Sequence, residues 1–380
     1  MDKLSFLNGI AGIAVFVSLL LAFFLFTVKT ENKLANRLFA FFFILTAIDL
    51  SGFFVYEYMD NHLDFEIFRW TTCLLEMPLF YFYVLAVCYS DFRLKWKHLI
   101  HVIPFVVVNL VFIPRFYLAS DTEKLHFFEF HNQMPEMYFF QILVEIQYFF
   151  YIVSVFLILK KYRGIYLENY TNPSTSTYKW LFQITVVFLA AHSLVVLKNL
   201  LRYTNFDKTF IWSSILVGSV ALLVTCWFVL KAMNHPELFR GINSKLQLTK
   251  DILPKENDIV EEINSNQNEA ITSQISMLKN YMTEKEPYLD PSLTIQELAN
   301  QINIPVRDLS VLINHHIDQH FFHFVNEYRI QKAMHILKDQ SKSNLTILEI
   351  LYEVGFNSKS SFNTSFKKYT NLTPTAYRNT

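Results

Sequence analysis

The sequence predicts an all-α protein: a seven-helix transmembrane bundle, then a cytoplasmic domain built from two helix-turn-helix units. Three observations predict it. Seven long apolar runs fill the first 233 residues, the loops between them alternate in charge, and from about residue 275 short amphipathic helices separated by turns take over. Composition agrees, because 52% of residues are hydrophobic and 17% charged, where a soluble domain is about 25% charged. Such a chain is too apolar for disorder. The net charge of zero hides an asymmetry, with the charges crowded into the second half. Cys73, Cys88 and Cys226 all lie in apolar runs, so no disulfide framework is readable.

The first run, 4–28, contains no Asp, Glu, Lys or Arg. About 20 apolar residues suffice to cross the hydrocarbon core. A secretory signal is the alternative, but the run is too long and no small-x-small cleavage site comes after it. The further runs are 34–58, 67–89, 99–118, 138–159, 180–201 and 210–233. Asp49 and Glu76 interrupt the second and third, and Pro104 and Pro114 should kink or shorten the fourth. Seven successive helices that are apolar on every side are not needed in a soluble protein.

Loop charge sets the expected orientation. Lys29, Lys33 and Arg37 make loop one basic, Arg93, Lys95 and Lys97 loop three, and Lys160, Lys161, Arg163 and Lys179 loop five. Loop two has Asp60, Asp64 and Glu66 against Arg69; loop four has Asp121, Glu123, Glu129 and Glu136 against Arg115 and Lys124. Basic loops remain in the cytoplasm, so the N-terminus is expected outside and everything after residue 233 inside the inner (cytoplasmic) membrane.

Residues 1–233 are thus a sensor-type membrane domain and 234–274 a polar linker, opened by Asn234-His235-Pro236. Ile259 and Ile263 would line one face of a short pairing helix, against the plainer reading of a solvated linker. In 275–380, Leu278, Tyr281 and Met282 open a helix. Thr294 caps a short one at 294–302, with Glu297 completing a capping box. A second helix at 306–316 buries Leu309, Leu312 and Ile313, and a long one at 321–338 turns Phe324, Val325, Tyr328, Ile330, Ala333 and Leu337 inward. The short-helix, turn, short-helix unit then recurs at 347–354 and 358–369. Between its helices Gly355 suits a left-handed turn, Phe356 plugs the angle and Ser358 caps the second helix. Two such units joined by a long helix are the grammar of a DNA reader.

These residues carry a family resemblance. Phe324, Tyr328-Arg329-Ile330 and Ala333, then Ile350, Gly355-Phe356, Ser358, Ser360-Ser361-Phe362 and Phe366-Lys367-Lys368, then Thr373-Pro374 and Tyr377-Arg378 resemble the AraC/XylS transcription-regulator DNA-binding domain over roughly 275–380. Two departures are Leu351-Tyr352, where the family has a small residue, and Asn371 in place of Gly. Asn tolerates the left-handed conformation. The whole arrangement looks like the membrane-bound bacterial regulators of that family. The resemblance implies a sequence-specific transcription regulator with double-stranded DNA and the lipid bilayer as partners, a small-molecule or protein signal, and a homodimer among the expected states.

The outward face of the second recognition helix carries Lys359, Ser360, Asn363, Thr364 and Lys367, and the resemblance puts its base-reading positions there. In the first unit Arg307, Ser310, Val311 and Asn314 are expected outward. Arg suits guanine, Asn adenine and Lys phosphate. The plainer reading is two solvated helix faces. Charge supports DNA only locally, since 354–380 holds Lys359, Lys367, Lys368 and Arg378 and no acid. His315, His316, His320 and His323 cluster, but no cysteine joins them, so no metal is expected; they cap, pack or approach phosphate.

Ionisable residues inside the spans need a reason. Asp49, Glu76, Glu145, His192 and Lys198 read either as a ligand pocket or as a structural polar seam, with Glu145 and Lys198 expected near each other and Pro78 loosening the third span beside Glu76. A transporter or receptor whose tail regulates without DNA is the competing class. A retinal protein needs a lysine in its last span, and 210–230 has none. No Walker loop, metalloprotease helix, nucleophile elbow or kinase signature occurs, so neither enzyme activity nor a cofactor is expected.

Overall fold

The computed structural model describes residues 3–28, 32–55, 63–171, 175–201, 207–234 and 265–380. Among these the protein is all-helical. Two compact units emerge: one of Met1–Lys160 with Ser176–Ser244, the other of Lys161–Thr175 with Lys245–Thr380.

In the first unit, α1 (Lys3–Thr27) packs on α2 (Lys33–Val55) and on α9 (Asp207–Asn234). The third apolar run is two helices, α3 (Leu63–Thr71) and α4 (Cys73–Cys88), and α4 packs on α2. They part at Thr72, whose hydroxyl donates to the Arg69 carbonyl at 2.6 Å. The fourth run is a 3-10 turn (Trp96–Val102), α5 (Ile103–Phe112) and a π turn (Ile113–Tyr117). Pro104 and Pro114 each open one of these pieces, where a missing N–H costs least. The next helix, α6 (Asp121–Glu129), is one that the loop charges do not foretell; Ser120 and Glu123 cap it reciprocally, and its Lys124 binds Asp64 at 2.8 Å. Two long helices, α7 (Pro135–Asn169) and α8 (Thr175–Leu201), precede α9.

Among the described residues, six stretches are long and apolar enough to cross a membrane: Asn8–Thr27, Lys33–Gly52, Leu63–Cys88, Trp96–Tyr117, Pro135–Asn169 and Thr177–Leu201. A shorter apolar stretch, Trp212–Phe228, lies within α9. The many phenylalanines find their use in an aromatic core. Phe39 stacks on Tyr83 at 4.2 Å and meets Phe228 edge-on at 5.5 Å, and Trp180 Nε1 donates to the Tyr83 hydroxyl at 3.2 Å. Such offset and edge-on pairs add to area burial.

In the second unit, α10 (Ser265–Lys285) starts ten residues before the expected helix, within the stretch read as a partly helical linker. The pairing helix considered for Ile259 and Ile263, and the stop at His235-Pro236, lie outside the described residues. Then come α11 (Ile295–Gln301), α12 (Val306–Val311) continued by a π turn (Leu312–His316), and α13 (Phe321–Lys338). The last three are α14 (Ile347–Glu353), α15 (Lys359–Thr370) and α16 (Pro374–Arg378). Two cores form. Leu278, Leu298, Leu309, Ile313 and Phe324 build the first, and Ile330, Ala333, Ile350, Phe356, Phe362 and Phe366 the second. The α13 helix runs through both, its first half serving one unit and its second half the other.

Candidate nucleic-acid interface

Each helix-turn-helix unit begins with the same device. The Glu297 amide donates to Thr294 Oγ1 at 3.2 Å while the Thr294 amide donates to Glu297 Oε2 at 2.7 Å. Thr346 and Glu349 repeat this at 3.1 and 2.7 Å. Each carboxylate accepts from both the amide and the hydroxyl of its cap residue, and these bonds pull the Glu349 carboxyl below its ordinary pKa. The turns then use left-handed residues: Asn303 at φ 57° and Gly355 at φ 87°. A Cβ on Gly355 would lie 2.6 Å from the Tyr288 carbonyl oxygen, so the site demands glycine for space as well as conformation. Phe356 is buried over Phe362 at 5.2 Å, and Ser358 Oγ accepts from the Ser361 amide at 3.4 Å. Asn371 takes φ 59° to end α15, as its place in the family pattern requires.

On α15 the structure leaves Lys359, Ser360, Thr364 and Lys367 exposed on one side and Asn363 half-buried at its edge. Phe362 and Phe366 are buried on the other side. On the first recognition helix Arg307 is exposed and Val311 half-buried. The expectation that Ser310 faces outward is corrected, and Asn314 is half-buried. Ser310 is only 6% exposed, and Asn314 Nδ2 donates to its carbonyl and hydroxyl at 3.0 and 3.1 Å. Asn314 Oδ1 accepts from the Phe321 amide at 3.2 Å. Asn314, in the π turn, thus ties the recognition helix to the start of α13 through Phe321.

His315, His316 and His320 are exposed. His323 is half-buried beside Lys368 Nζ at 3.3 Å, and burial, then Lys368 and His320, lower its pKa to about 4. Among the described residues no group of His, Cys, Asp or Glu is arranged to hold a metal.

Sequence reasoning did not single out Arg329 as a site. It is fully buried, donating from Nε to the Tyr288 carbonyl at 2.6 Å and from Nη2 to the Asp290 carbonyl at 2.7 Å. Its guanidinium lies 5.5 Å from the Phe356 ring centre. Burial lowers its pKa to about 10, with Asp290 opposing that shift. The signal was present, because Arg329 lies four residues after the inward Val325 and so shares its face.

The candidate residues in the apolar unit come together in part. His192 Nε2 bonds Glu145 Oε2 at 2.9 Å, and its ring stacks on Tyr148 at 3.5 Å. Glu145 thus meets α8 at His192, and Lys198 lies six residues on, about 9 Å along the axis. Lys198 acts electrostatically on Asp49, and Asp49 on Glu76. Arg69 Nη1 donates to the Asp49 carbonyl at 2.7 Å and lies 3.9 Å from its carboxylate. Arg69 and Glu66 read as loop charges in the sequence, yet both are buried and bonded at 2.9 Å, with Trp70 Nε1 donating to Glu66 at 2.8 Å. Their three-residue spacing on one helix was the available signal.

Comparison with known proteins bears on the second unit. The family described as "Helix-turn-helix domain" matches residues 298–380. The C-terminal domain is an AraC-type helix-turn-helix domain. A stretch of 55 residues is 44% identical to the "Uncharacterized HTH-type transcriptional regulator YdeC" of Bacillus subtilis (strain 168). That match covers 14% of this chain and 18% of the relative, so the chain spans under a fifth of the relative's length. No solved structure matches the chain. An AraC-type domain at residues 298–380 supports DNA binding for this part of the chain.

Proposed function

We propose that the chain is a membrane-anchored, sequence-specific transcription regulator controlled by a signal received at the membrane. One observation carries the membrane part. Along α7, Ile142, Ile146, Phe149, Phe150, Val153 and Leu157 form one outward stripe, every one of them exposed, while Gln147 is buried. That polarity is the reverse of a soluble helix and suits a hydrocarbon surround. An AraC-type domain on the same chain supports double-stranded DNA as the second partner.

Arg307 and Asn363 are assigned to base edges, Lys367 to phosphate, and Lys359, Ser360, Thr364 and Val311 to the surrounding contact. Ser310 and Asn314 leave the set. The N-terminus lies outside and the AraC-type domain in the cytoplasm, under the inner membrane. The Asp49, Glu76, Glu145, His192 and Lys198 cluster is the candidate signal site, for a small molecule or protein, and a homodimer is the form expected on paired half-sites. The chain acts by binding and has no enzymatic role.

Reporter fusions after Lys33, Asp64, Lys97, Glu129, Asn169, Lys208 and Arg240 test the topology. They should alternate sides, starting in the cytoplasm. Two neighbouring fusions on one side would overturn the seven-span arrangement.

A further inference from the structure

The second compact unit contains more than the DNA-binding domain, for it also includes Lys161–Thr175, the end of α7 and the residues after it. Tyr170 forms an antiparallel bridge with Thr294, the cap residue of α11. The Thr171 hydroxyl donates to the Leu293 carbonyl at 2.7 Å and accepts a longer bond, 3.4 Å, from Arg329 Nη2. Thr171 is 1% exposed, and Glu168 and Asn169 are buried as well. Tyr166 stacks on Tyr170 at 4.6 Å and stiffens the approach.

The contacts of this segment are specific. Arg329 holds the Tyr288 to Asp290 turn ahead of the first helix-turn-helix unit and packs on Phe356, the plug of the second. Gly355, next to that plug, faces the same Tyr288 and Leu289 carbonyls. The guanidinium therefore joins the two units, and Thr171 completes its bonding. A domain that reads two sites through two units depends on their relative setting.

We propose that residues 161–171 are a brace for the DNA-binding domain: by docking on Leu293, Thr294 and Arg329 they set the relation of the two helix-turn-helix units, and so couple the end of α7 to affinity for a two-part DNA site. The segment gives the signal a route that does not pass through 235–264. The coupling rests on the DNA-reading assignment above; the docking does not.

The test has two arms on the full-length chain in membranes. Partners across an antiparallel bridge lie about 4.5–5.5 Å apart at Cα, within disulfide reach. Tyr170→Cys with Thr294→Cys, with a specific protease site inserted at residue 255, should oxidise to an intrachain disulfide that keeps the two fragments together until reduction. The pair Tyr170→Cys and Ser341→Cys should not. Equal linkage in both pairs, or none in either, would overturn the docking. In the second arm, binding is measured to a duplex carrying the two-part sequence that the full-length protein enriches from genomic fragments, and to one carrying either half alone. Thr171→Val should weaken the two-part site about fivefold or more and leave the halves unchanged, with Thr171→Ser behaving as the parent. Equal loss on all duplexes, or no loss on any, would overturn the coupling even with the disulfide formed.

Discussion

Gln147 donates its side-chain amide to the Leu74 carbonyl at 2.8 Å, from α7 to α4. That carbonyl is free because the residue four positions on is Pro78, which has no N–H to offer. A proline on one helix and a buried glutamine on another thus form one device. Gln147→Leu should lower the thermal stability of the detergent-solubilised chain by about 0.6–1.7 kcal/mol, the span measured for interhelical hydrogen bonds in membranes. Pro78→Ala in the same chain should recover most of it, since the helix then satisfies Leu74 itself. Additive losses in the double variant would refute the device.

The two capping boxes predict matched effects. Thr346→Ala strands the Glu349 amide and should destabilise the second helix-turn-helix unit by about 0.5–2 kcal/mol, read by hydrogen exchange of the α14 amides. Gly355→Ala should cost more, above about 1 kcal/mol, because it combines φ 87° with a backbone oxygen 2.6 Å from the new Cβ.

Acid should loosen the DNA-binding domain through His323. Its pKa falls from the ordinary 6.5 to about 4 in the folded chain. Between those values the unfolded chain binds the extra proton, so stability declines as pH falls from about 6.5 toward 4 and levels off below. His316, exposed but lowered by partial desolvation and by His315, adds in the same direction. Exchange of the α13 amides at pH 7 and pH 5 checks this, and His323→Gln should flatten most of the difference.

The recognition face predicts a split between specificity and affinity. Arg307→Ala or Asn363→Ala should weaken binding to the selected site by about 1–3 kcal/mol and relax one position of it. Lys367→Ala should weaken all sequences alike and reduce the salt dependence. Unchanged sequence preference in both of the first two variants would remove the assignment of that face.

Helix period and caps make most of this fold legible. Thr294 with Glu297, Gly355, Phe356 and Ser358 announce their roles because each answers a local backbone need. The α6 helix is readable by the same rule from Ser120 and Glu123, although the charge of its loop draws attention away from the cap. The break at Thr72 is not readable, since Pro78 points to a weakness without fixing where the helix parts. Ser310 is buried in the ordinary helical period, three residues before the buried Ile313, while Asn314 lies in a π turn that nothing local in 306–316 signals. The Glu145 partner depends on which turn of α8 faces α7, a tertiary choice between His192 and Lys198 that charge alone leaves open.

The central claim is that this chain reads DNA from a membrane. The most direct measurement reconstitutes the full-length protein in lipid nanodiscs, incubates it with fragments of its own genome and sequences those retained over empty discs. The account predicts enrichment of one two-part sequence whose halves lie about one duplex turn apart, lost in the Arg307→Ala and Asn363→Ala double variant. Retention of no sequence beyond empty discs by folded protein, or recovery of the protein entirely in the soluble fraction of cells, would contradict it.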